Sequence, residues 1–218
     1  MLENKFAHHI DKETIQTLPL TAFSGKVFVI EKEEQVQSAY DYLINQPVIG
    51  VDTEARPSFE KDVHYETSLI QMATLDTCFL FRLNKIGLHP LIIAIFNSPN
   101  VKKVGLAFKN DFIGLRRGYK PTVALTPKAC VDIQSMVNDY GILDLSLQKI
   151  TAIMFGEKIS KAQQLSNWED KTLTEAQISY AATDAWITLR IYNRLLETEP
   201  LYPDEVAKLK AEKGKNSK

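Results

Sequence analysis

The chain has 218 residues, 44% of them hydrophobic and 24% charged, which is ordinary for a globular protein with a substantial core. Its formal net charge is −1, so the composition excludes a protein that coats nucleic acid through a uniformly basic surface. No apolar run reaches the roughly 20 residues that a membrane span requires, so we expect no membrane partner.

Two cysteines, Cys78 and Cys130, are spaced neither as a Cys-x-x-Cys metal site nor as a disulfide framework. We expect both to be small residues of the core. Because the N-terminus carries no secretory signal pattern, we also expect a reduced, cytoplasmic environment. The adjacent His8 and His9 cannot share one face of a helix or strand, so we expect them on the surface and not as metal ligands.

Strand and helix patterns alternate from residue 25 onward. Residues 25–30 form an apolar run typical of a strand, and residues 33–43 carry the apolar spacing of an amphipathic helix. Pro47 ends that helical pattern and leads into a second strand at residues 48–54.

A predicted hairpin follows the second strand. Its two strands, residues 68–74 and 77–81, are separated only by Leu75 and Asp76, which is short enough for a tight connection. The order strand, helix, strand, hairpin predicts a mixed sheet, with antiparallel strands on one side and parallel strands on the other.

The second half of the chain becomes increasingly helical. Pro90 opens a helix at residues 91–96, and a strand at residues 101–108 runs into a helix that begins near Asp111. A short strand follows at residues 129–133. Later apolar patterns predict two further helices, at residues 145–154 and 174–196.

We predict a single α/β domain over residues 25–200, built as a mixed sheet flanked by helices. Residues 1–24 are polar and form an N-terminal extension. Residues 201–218 are rich in lysine and contain few apolar side chains, so we expect a disordered tail.

The strand at residues 48–54 ends in two carboxylates, Asp52 and Glu54. Side chains alternate along a strand, so both acids point to the same face. Two carboxylates at the end of a buried strand are costly unless a positive group, such as a divalent metal, lies between them. Alternatively, the strand has already ended and both acids are solvated loop residues.

Two further carboxylates lie on ordered elements. Asp111 stands where a strand passes into a helix, and it is either a helix cap or a ligand. Tyr180 and Asp184, four residues apart on the last long helix, project from the same side at the margin of an apolar stripe. They are either packing and hydrogen-bonding residues or members of a site.

Five stretches in a fixed order are more specific than any single acid. They are VDTE at residues 51–54, SLIQM at 68–72, VGLAFKND at 104–111, LSNW with LTEAQ at 165–168 and 173–177, and YAATD at 180–184. In this order they resemble the DEDD superfamily of 3′–5′ exonucleases, in the subgroup with tyrosine in the third motif (DEDDy). Ribonuclease D and the exonuclease domain of the Werner syndrome protein belong to that subgroup. The resemblance covers residues 25–196, nearly the whole chain.

The resemblance implies a ribonuclease H-like fold and a metal-dependent 3′–5′ exonuclease. Asp52, Glu54, Asp111 and Asp184 would hold two divalent cations, and their hard oxygen ligands suit Mg²⁺ or Mn²⁺. One cation would activate water for attack on the terminal phosphodiester, and the other would stabilise the leaving 3′ oxygen. Tyr180 would orient that water. The implied substrate is DNA or RNA with a free 3′ end, and the implied product is a nucleoside 5′-monophosphate.

Some features depart from the family pattern. Residues 55–57, Ala-Arg-Pro, follow Glu54 where many relatives carry an aromatic residue, which alters the expected contact with the terminal base. Ribonuclease D continues into helical nucleic-acid-binding domains, whereas residues 201–218 of this sequence are a short lysine-rich stretch. Arg56, Lys109 and Lys161 are candidates for phosphate contact, or else solvated surface residues.

Two other interpretations stay open. The chain could be a nucleic-acid-binding module of the same fold with little or no turnover, or a protein-interaction domain in which the acids only cap secondary structure. The pattern predicts no preference between DNA and RNA, because recognition of the 2′-hydroxyl depends on the shape of a pocket.

Overall fold

The structure is a computed structural model that describes residues 6–59, 65–107 and 109–216. These residues form six strands: β1 Lys26–Ile30, β2 Val48–Ala55, β3 Thr67–Ala73, β4 Thr77–Arg82, β5 Lys102–Gly105 and β6 Cys130–Asp132. They also form nine α-helices: α1 Lys12–Thr17, α2 Val36–Leu43, α3 Leu83–Ile86, α4 Pro90–Asn97, α5 Lys109–Tyr119, α6 Ile133–Val137, α7 Leu147–Phe155, α8 Glu175–Leu196 and α9 Pro203–Asn216. Short 3₁₀ turns, Glu33–Gln35 and Asn138–Tyr140, precede α2 and follow α6.

The strands form one mixed sheet in the order β1-β4-β3-β2-β5-β6. The predicted hairpin is confirmed, since β3 and β4 pair in antiparallel fashion with Ala73 opposite Cys78. The predicted segregation of antiparallel strands to one side is wrong. Strand β3 is antiparallel to both of its neighbours inside the sheet, and β1 extends the far side as a parallel partner of β4.

Helices cover both faces of this sheet, which confirms the predicted α/β class. On one face, α2, α3, α4 and α5 pack against alternate strand residues that include Ile49 and Val51 of β2. On the other face, α8 packs across β2, β3 and β4 through its alanines, among them Ala181 and Ala185. Helices α6 and α7 extend this second layer beyond β5. Because side chains alternate along β2, its acids point toward α8.

Helix α8 is fixed at its start and along its length. Thr174 caps it by accepting a hydrogen bond from the Gln177 N–H at 3.2 Å, and the Gln177 side chain accepts from the Thr174 N–H at 2.9 Å. A side-chain methyl on Gly50 of β2 would collide with the carbonyl oxygen of Ala185 and lie 2.9 Å from Thr188 Oγ1. Glycine at residue 50 therefore lets the backbone of α8 lie directly against β2.

Strand β5 is shorter than the predicted run at residues 101–108. Ala107, two residues after the strand, adopts a left-handed backbone conformation with φ 56°. That conformation is incompatible with a strand and turns the chain into α5. Phe108 lies outside the described residues.

The N-terminal extension packs on the domain. The Thr21 N–H donates to the carbonyl oxygen of Lys158 at 2.8 Å, and the Phe23 N–H donates to Thr183 Oγ1 of α8 at 3.0 Å. Ile15 of α1 and Phe23 are buried. His8 and His9 are exposed, as predicted. The predicted boundaries at residues 24 and 200 stay predictions.

The expected disorder of the tail is wrong for residues 203–216, which form helix α9. The carboxylate of Glu205 accepts a hydrogen bond from the Tyr202 N–H at 3.0 Å, and Val206 is buried with 9% of its surface exposed. A capped first turn and one buried apolar anchor thus support a helix in a segment poor in hydrophobic residues. Residues 217–218 lie outside the described part.

The two cysteines differ in burial. Cys78 of β4 is buried, as predicted, whereas Cys130 is exposed. The prediction is wrong for Cys130 because it begins β6, the edge strand of the sheet. No helix in the described ranges is both long and apolar enough to cross a bilayer.

Candidate active site

Three carboxylates meet where β2 passes under α8. Asp52 and Glu54 come from the end of β2, and Asp184 comes from the middle of α8. One oxygen from each lies within 4.8 Å of the others. Asp184 is buried, and the other two side chains are partly exposed. The acids that the sequence placed on a strand end and on a late helix are therefore neighbours.

Asp111 approaches the same place from the first turn of α5, but it is not a member of this group. Its carboxylate interacts with the side chain of Thr53, the β2 residue between the two strand acids. Its charge is nevertheless close enough to raise the pKa values of Asp52 and Glu54. Asp111 thus lies beside the cluster, but its carboxylate is not within the 4.8 Å that joins the other three acids.

Asp132 supports the β5–α5 junction that carries Asp111. Its Oδ1 accepts hydrogen bonds from the backbone N–H of Ala107 and from that of Gln134, both at 3.0 Å. The first bond holds the left-handed turn after β5, and the second caps α6. One carboxylate therefore ties the strand end to the helix that follows β6.

Burial raises the pKa of every acid in the cluster. The pKa of Asp52 is raised by burial and then by the charge of Asp184. Burial, with the charges of both neighbours, raises the pKa of Glu54 to about 10. Burial raises the pKa of Asp184 to about 7, against the opposing effects of the Tyr180 phenol and the Lys161 ammonium. Acids that retain protons near neutral pH can exchange them for a cation.

The donor set fits a hard divalent cation. Oδ1 of Asp184 is buried and has no hydrogen-bond partner among the residues that the structure describes. A buried carboxylate oxygen without a partner is costly, and a cation would supply that partner. All the converging ligand atoms are carboxylate oxygens, which hard divalent cations prefer.

Tyr180 lies one helical turn before Asp184, with 8% of its surface exposed. Its ring packs against Trp168, with 5.9 Å between ring centroids. Burial, followed by the charge of Asp184, raises the pKa of its phenol well above the ordinary value. The phenol therefore stays protonated, and it can donate a hydrogen bond but cannot act as a base at neutral pH.

The acids open into a cavity of about 490 Å³. Tyr180 and Lys161 line it together with the three carboxylates. Arg56 instead lines a neighbouring cavity, where its guanidinium lies 3.7 Å from Glu169 and over the ring of Tyr65 at 4.8 Å. The side chain of Lys109 lies outside the described part of the chain. Of the three basic candidates, only Lys161 is described in the acids' cavity.

Sequence reasoning missed several polar residues of this cavity. Gln134, Gln148 and Gln164 line it from α6, α7 and the loop before α8. The Gln148 amide donates to the carbonyl oxygen of Ile159 at 3.0 Å and so holds that loop. No spacing among these glutamines marks them in the sequence, because they converge only through tertiary packing.

The loop between α7 and α8 is anchored within its LSNW stretch and just after it. The Gln177 amide donates to Ser166 Oγ at 3.0 Å and to the carbonyl oxygen of Asn167 at 3.1 Å. Arg82, fully buried at the end of β4, donates to Glu31 at 2.8 Å and to the carbonyl oxygens of Asp170 and Lys171. These bonds hold the stretch that carries Trp168, whose ring packs against Tyr180 of the acids' cavity.

The fold and the acid cluster together define a class of nuclease domain. The sequence model of the 3′–5′ exonuclease family matches residues 27–198, a range that contains the acids and Tyr180. The chain therefore belongs to the 3′–5′ exonuclease family.

Curated relatives agree with this assignment. The chain is 26% identical over 206 residues to an exonuclease mut-7 homolog of Aedes aegypti, covering 85% of this chain and 28% of the relative. It is 24% identical over 223 residues to a 3′–5′ exonuclease of Drosophila mojavensis, covering 95% of this chain and 68% of the relative. The chain thus corresponds to only part of the length of these relatives.

Solved structures share the fold. The EXO domain of Aedes aegypti Nibbler is 25% identical with a TM-score of 0.68, over 88% of this chain and 92% of that domain. Escherichia coli RNase D is 21% identical with a TM-score of 0.69, over 79% and 44%. Trypanosoma brucei RNase D in complex with RNA U12 is 17% identical with a TM-score of 0.69, over 86% and 65%. The mixed sheet and its helices therefore have the fold of RNase D-like exonuclease domains.

Proposed function

We propose that the chain is a metal-dependent 3′–5′ exonuclease of the DEDDy type. It hydrolyses the terminal phosphodiester bond of DNA or RNA and releases nucleoside 5′-monophosphates. One observation carries the proposal: oxygens of Asp52, Glu54 and Asp184 lie within 4.8 Å of one another in a chain of the 3′–5′ exonuclease family.

We assign cation binding to four acids. Asp52, Glu54 and Asp184 form the core of the ligand set, and Asp111 is the fourth ligand because its charge already acts on the two strand acids. We propose two cations, Mg²⁺ or Mn²⁺, since both prefer carboxylate oxygens. When bound, they supply Lewis-acid stabilisation of the phosphate and lower the pKa of water.

The remaining roles belong to neutral and basic side chains. Tyr180 orients the attacking water as a neutral hydrogen-bond donor, which is consistent with the raised pKa of its phenol. Lys161, exposed in the acids' cavity, binds a phosphate oxygen of the substrate. Arg56 and Lys109 contact phosphates farther along the strand, and Arg56 is free to do so if it leaves Glu169.

We propose nucleic acid with a free 3′ end as the partner. Trypanosoma brucei RNase D, whose fold this chain shares, is known in complex with RNA U12, which supports nucleic acid as the partner. We also propose a cytoplasmic location, supported by the free thiols of Cys78 and Cys130.

The test is digestion of oligonucleotides labelled at the 5′ end, compared with the same oligonucleotides labelled at the 3′ end. With Mg²⁺ or Mn²⁺, we expect the 3′ label to be released at once as a mononucleotide. The 5′-labelled oligonucleotide should shorten by one nucleotide at a time. Chelation by EDTA should stop both. Matched DNA and RNA oligomers, digested side by side, identify the preferred sugar.

Two variants complete that test. Asp184→Asn should abolish release, whereas Asp204→Asn, a substitution of an exposed acid on α9, should leave it unchanged. An Asp184→Asn variant as active as the parent chain would contradict the proposal. Metal-independent binding of the oligomer without release would instead support a binding module of the same fold.

A further inference from the structure

Gln71 of β3 is a buried polar residue without a visible role in the fold. Its side chain is fully buried, with 0% of its surface exposed. Neither its Nε2 nor its Oε1 has a hydrogen-bond partner among the residues that the structure describes. A buried amide without partners destabilises a protein, so a packed sheet would favour an apolar residue here unless the amide serves another purpose.

The register of the sheet places this amide beside the acid cluster. Gln71 lies directly opposite Asp52 in the antiparallel pair β2–β3. Residues paired in this way point to the same face, with roughly 4.5–5.5 Å between their Cβ atoms. The neighbours of Gln71 on the same face of β3, Leu69 and Ala73, pack against the alanines of α8. The amide therefore lies under α8, on the same face of the sheet as the Asp52 carboxylate.

The other cross-strand neighbour cannot serve the amide. On the far side of Gln71, the paired residue of β4 is Leu80, which is apolar and fully buried. Within the row Asp52–Gln71–Leu80, only Asp52 offers an acceptor. A glutamine side chain is long enough to reach a carboxylate across one strand spacing by changing its rotamer.

We propose that Gln71 is a positioning residue of the candidate active site, whose amide N–H donates a hydrogen bond to the Asp52 carboxylate when Asp52 ligates a cation. This inference rests on the proposed metal-dependent function. A carboxylate has more lone-pair positions than the cations occupy, so a ligand oxygen still accepts a hydrogen bond that fixes its orientation.

The chemistry of an amide suits this role better than that of a charged donor. A lysine or arginine at residue 71 would neutralise Asp52 and compete with the cation for it. An amide donates a hydrogen bond without adding charge, so it orients the ligand and leaves the site negative. Loss of such a supporting hydrogen bond typically lowers metal affinity or activity by roughly 10- to 100-fold.

The test uses Gln71→Met, which keeps the length of the side chain and removes both amide atoms. The matched control is Met72→Leu, the next residue on β3, which faces the opposite layer of helices. Binding of Mn²⁺ alone is measured by titration calorimetry, and thermal unfolding is measured without metal. We expect Gln71→Met to bind Mn²⁺ roughly 10- to 100-fold more weakly. Without metal, it should unfold at the same temperature as the parent chain or higher.

The possible outcomes distinguish a failure of this inference from a failure of the proposed metal-dependent function. If the parent chain itself binds no Mn²⁺, the proposed function fails and the inference fails with it. If the parent and Gln71→Met bind Mn²⁺ equally, only the inference is overturned. A purely structural role is also distinguishable. Gln71 would then pair with the buried indole N–H of Trp168, which likewise lacks a partner in the described residues, and Gln71→Met would lose stability but keep its metal affinity.

A second measurement decides the matter if Gln71→Met does not fold. The parent chain is labelled uniformly with ¹⁵N, so that backbone amides and glutamine side chains are both observed, and it is titrated with diamagnetic Mg²⁺. The side-chain NH₂ resonance of Gln71 should shift with Mg²⁺ and exchange with solvent more slowly in the bound state. A Gln71 resonance that is unmoved while Asp52 and its neighbours respond would overturn the inference.

Discussion

Strand β2 contributes to two regions of the molecule, an apolar core on one face of the sheet and the acid cluster on the other. On one face, Ile49 and Val51 are 0% and 1% exposed and pack into the largest apolar cluster. On the other face, Gly50 admits α8, and Asp52 and Glu54 enter the acid cluster. Adjacent residues of one strand thus serve two different purposes, packing of the core and construction of the candidate active site.

The apolar face contributes stability, and the acid face gives up stability for chemistry. Ile and Phe side chains on the first face bury surface without leaving polar atoms unpaired. On the second face, the Asp184 carboxylate, the Gln71 amide and the Trp168 indole have buried polar atoms without partners in the described chain. Substitutions on the two faces should therefore separate activity from stability.

The largest effect is expected for Asp52→Asn. Removing one ligand charge should lower the rate of 3′-end release by about 10³-fold or more, since cation stabilisation of the reaction is worth several kcal/mol. The same substitution removes a like charge from a repelling cluster, so without metal the variant should unfold at pH 8 at the parent temperature or above it. Initial rates on a 3′-labelled oligomer and thermal unfolding in EDTA measure the two effects. A variant that loses both would mean that Asp52 is needed for the fold.

The opposite result is expected for Ile49→Ala on the apolar face. Truncation of a fully buried isoleucine should cost about 3 kcal/mol of unfolding free energy, through lost burial and the cavity left behind. The variant that folds should retain most of its activity per folded molecule. Urea unfolding with a parallel assay below the transition checks this, and Ile49→Val is the control, with an expected cost of about 1 kcal/mol. Equal stability of Ile49→Ala and the parent chain would remove the contrast between the faces.

The pH dependence of stability sharpens the same contrast. Without metal, the pKa values of Glu54 and Asp184 are raised in the folded chain to about 10 and about 7, whereas unfolded acids titrate near pH 4. Between these values the folded state holds protons that the unfolded state lacks, so stability should fall as the pH rises from about 5 to 9. The ion-paired acids Glu31, Asp144 and Glu157 have lowered pKa values and lose their contribution only at more acidic pH.

Thermal unfolding in EDTA across this pH range measures the slope. Asp184→Asn should flatten it, because it removes one of the acids whose raised pKa produces the slope. Addition of Mn²⁺ at pH 8 should raise the unfolding temperature of the parent chain by mass action and do so far less in the variant. A stability that rises with pH in EDTA would contradict the electrostatics of the cluster.

Those features of the acid face that depend on local sequence patterns or on the order of the motifs could be predicted from the sequence. Strand β2 and the common direction of Asp52 and Glu54 follow from an apolar run and from alternation. The start of α8 follows from the capping residues Thr174 and Gln177. That Asp184 meets the strand acids depends on α8 crossing β2, and this came from the resemblance in motif order.

The features that sequence reasoning missed depend on tertiary packing. The partner of β1 is β4, a pairing between strands far apart in the chain that no periodicity encodes. Helix α9 is anchored by the buried Val206 in a segment rich in charged residues. Gln71 is recognisable as unusual only once the register opposite Asp52 and its lack of partners are known. Asp111 lies outside the tight group, and its carboxylate interacts with the side chain of Thr53.

The smallest effect is expected for Ala107→Gly, at the junction that carries Asp111. Alanine with φ 56° is strained by roughly 1–2 kcal/mol, and glycine removes that strain but makes the unfolded chain more flexible. The net gain in unfolding free energy should be about 0–1 kcal/mol, with activity unchanged because Asp132 still accepts the N–H of residue 107. The control is Ala176→Gly in the exposed first turn of α8, where glycine should destabilise by up to about 1 kcal/mol. Opposite signs for the two Ala→Gly substitutions in urea unfolding would locate backbone strain at the acid face. If Ala107→Gly destabilises as much as Ala176→Gly, the junction is not strained, and the cost of this face lies in its side chains alone.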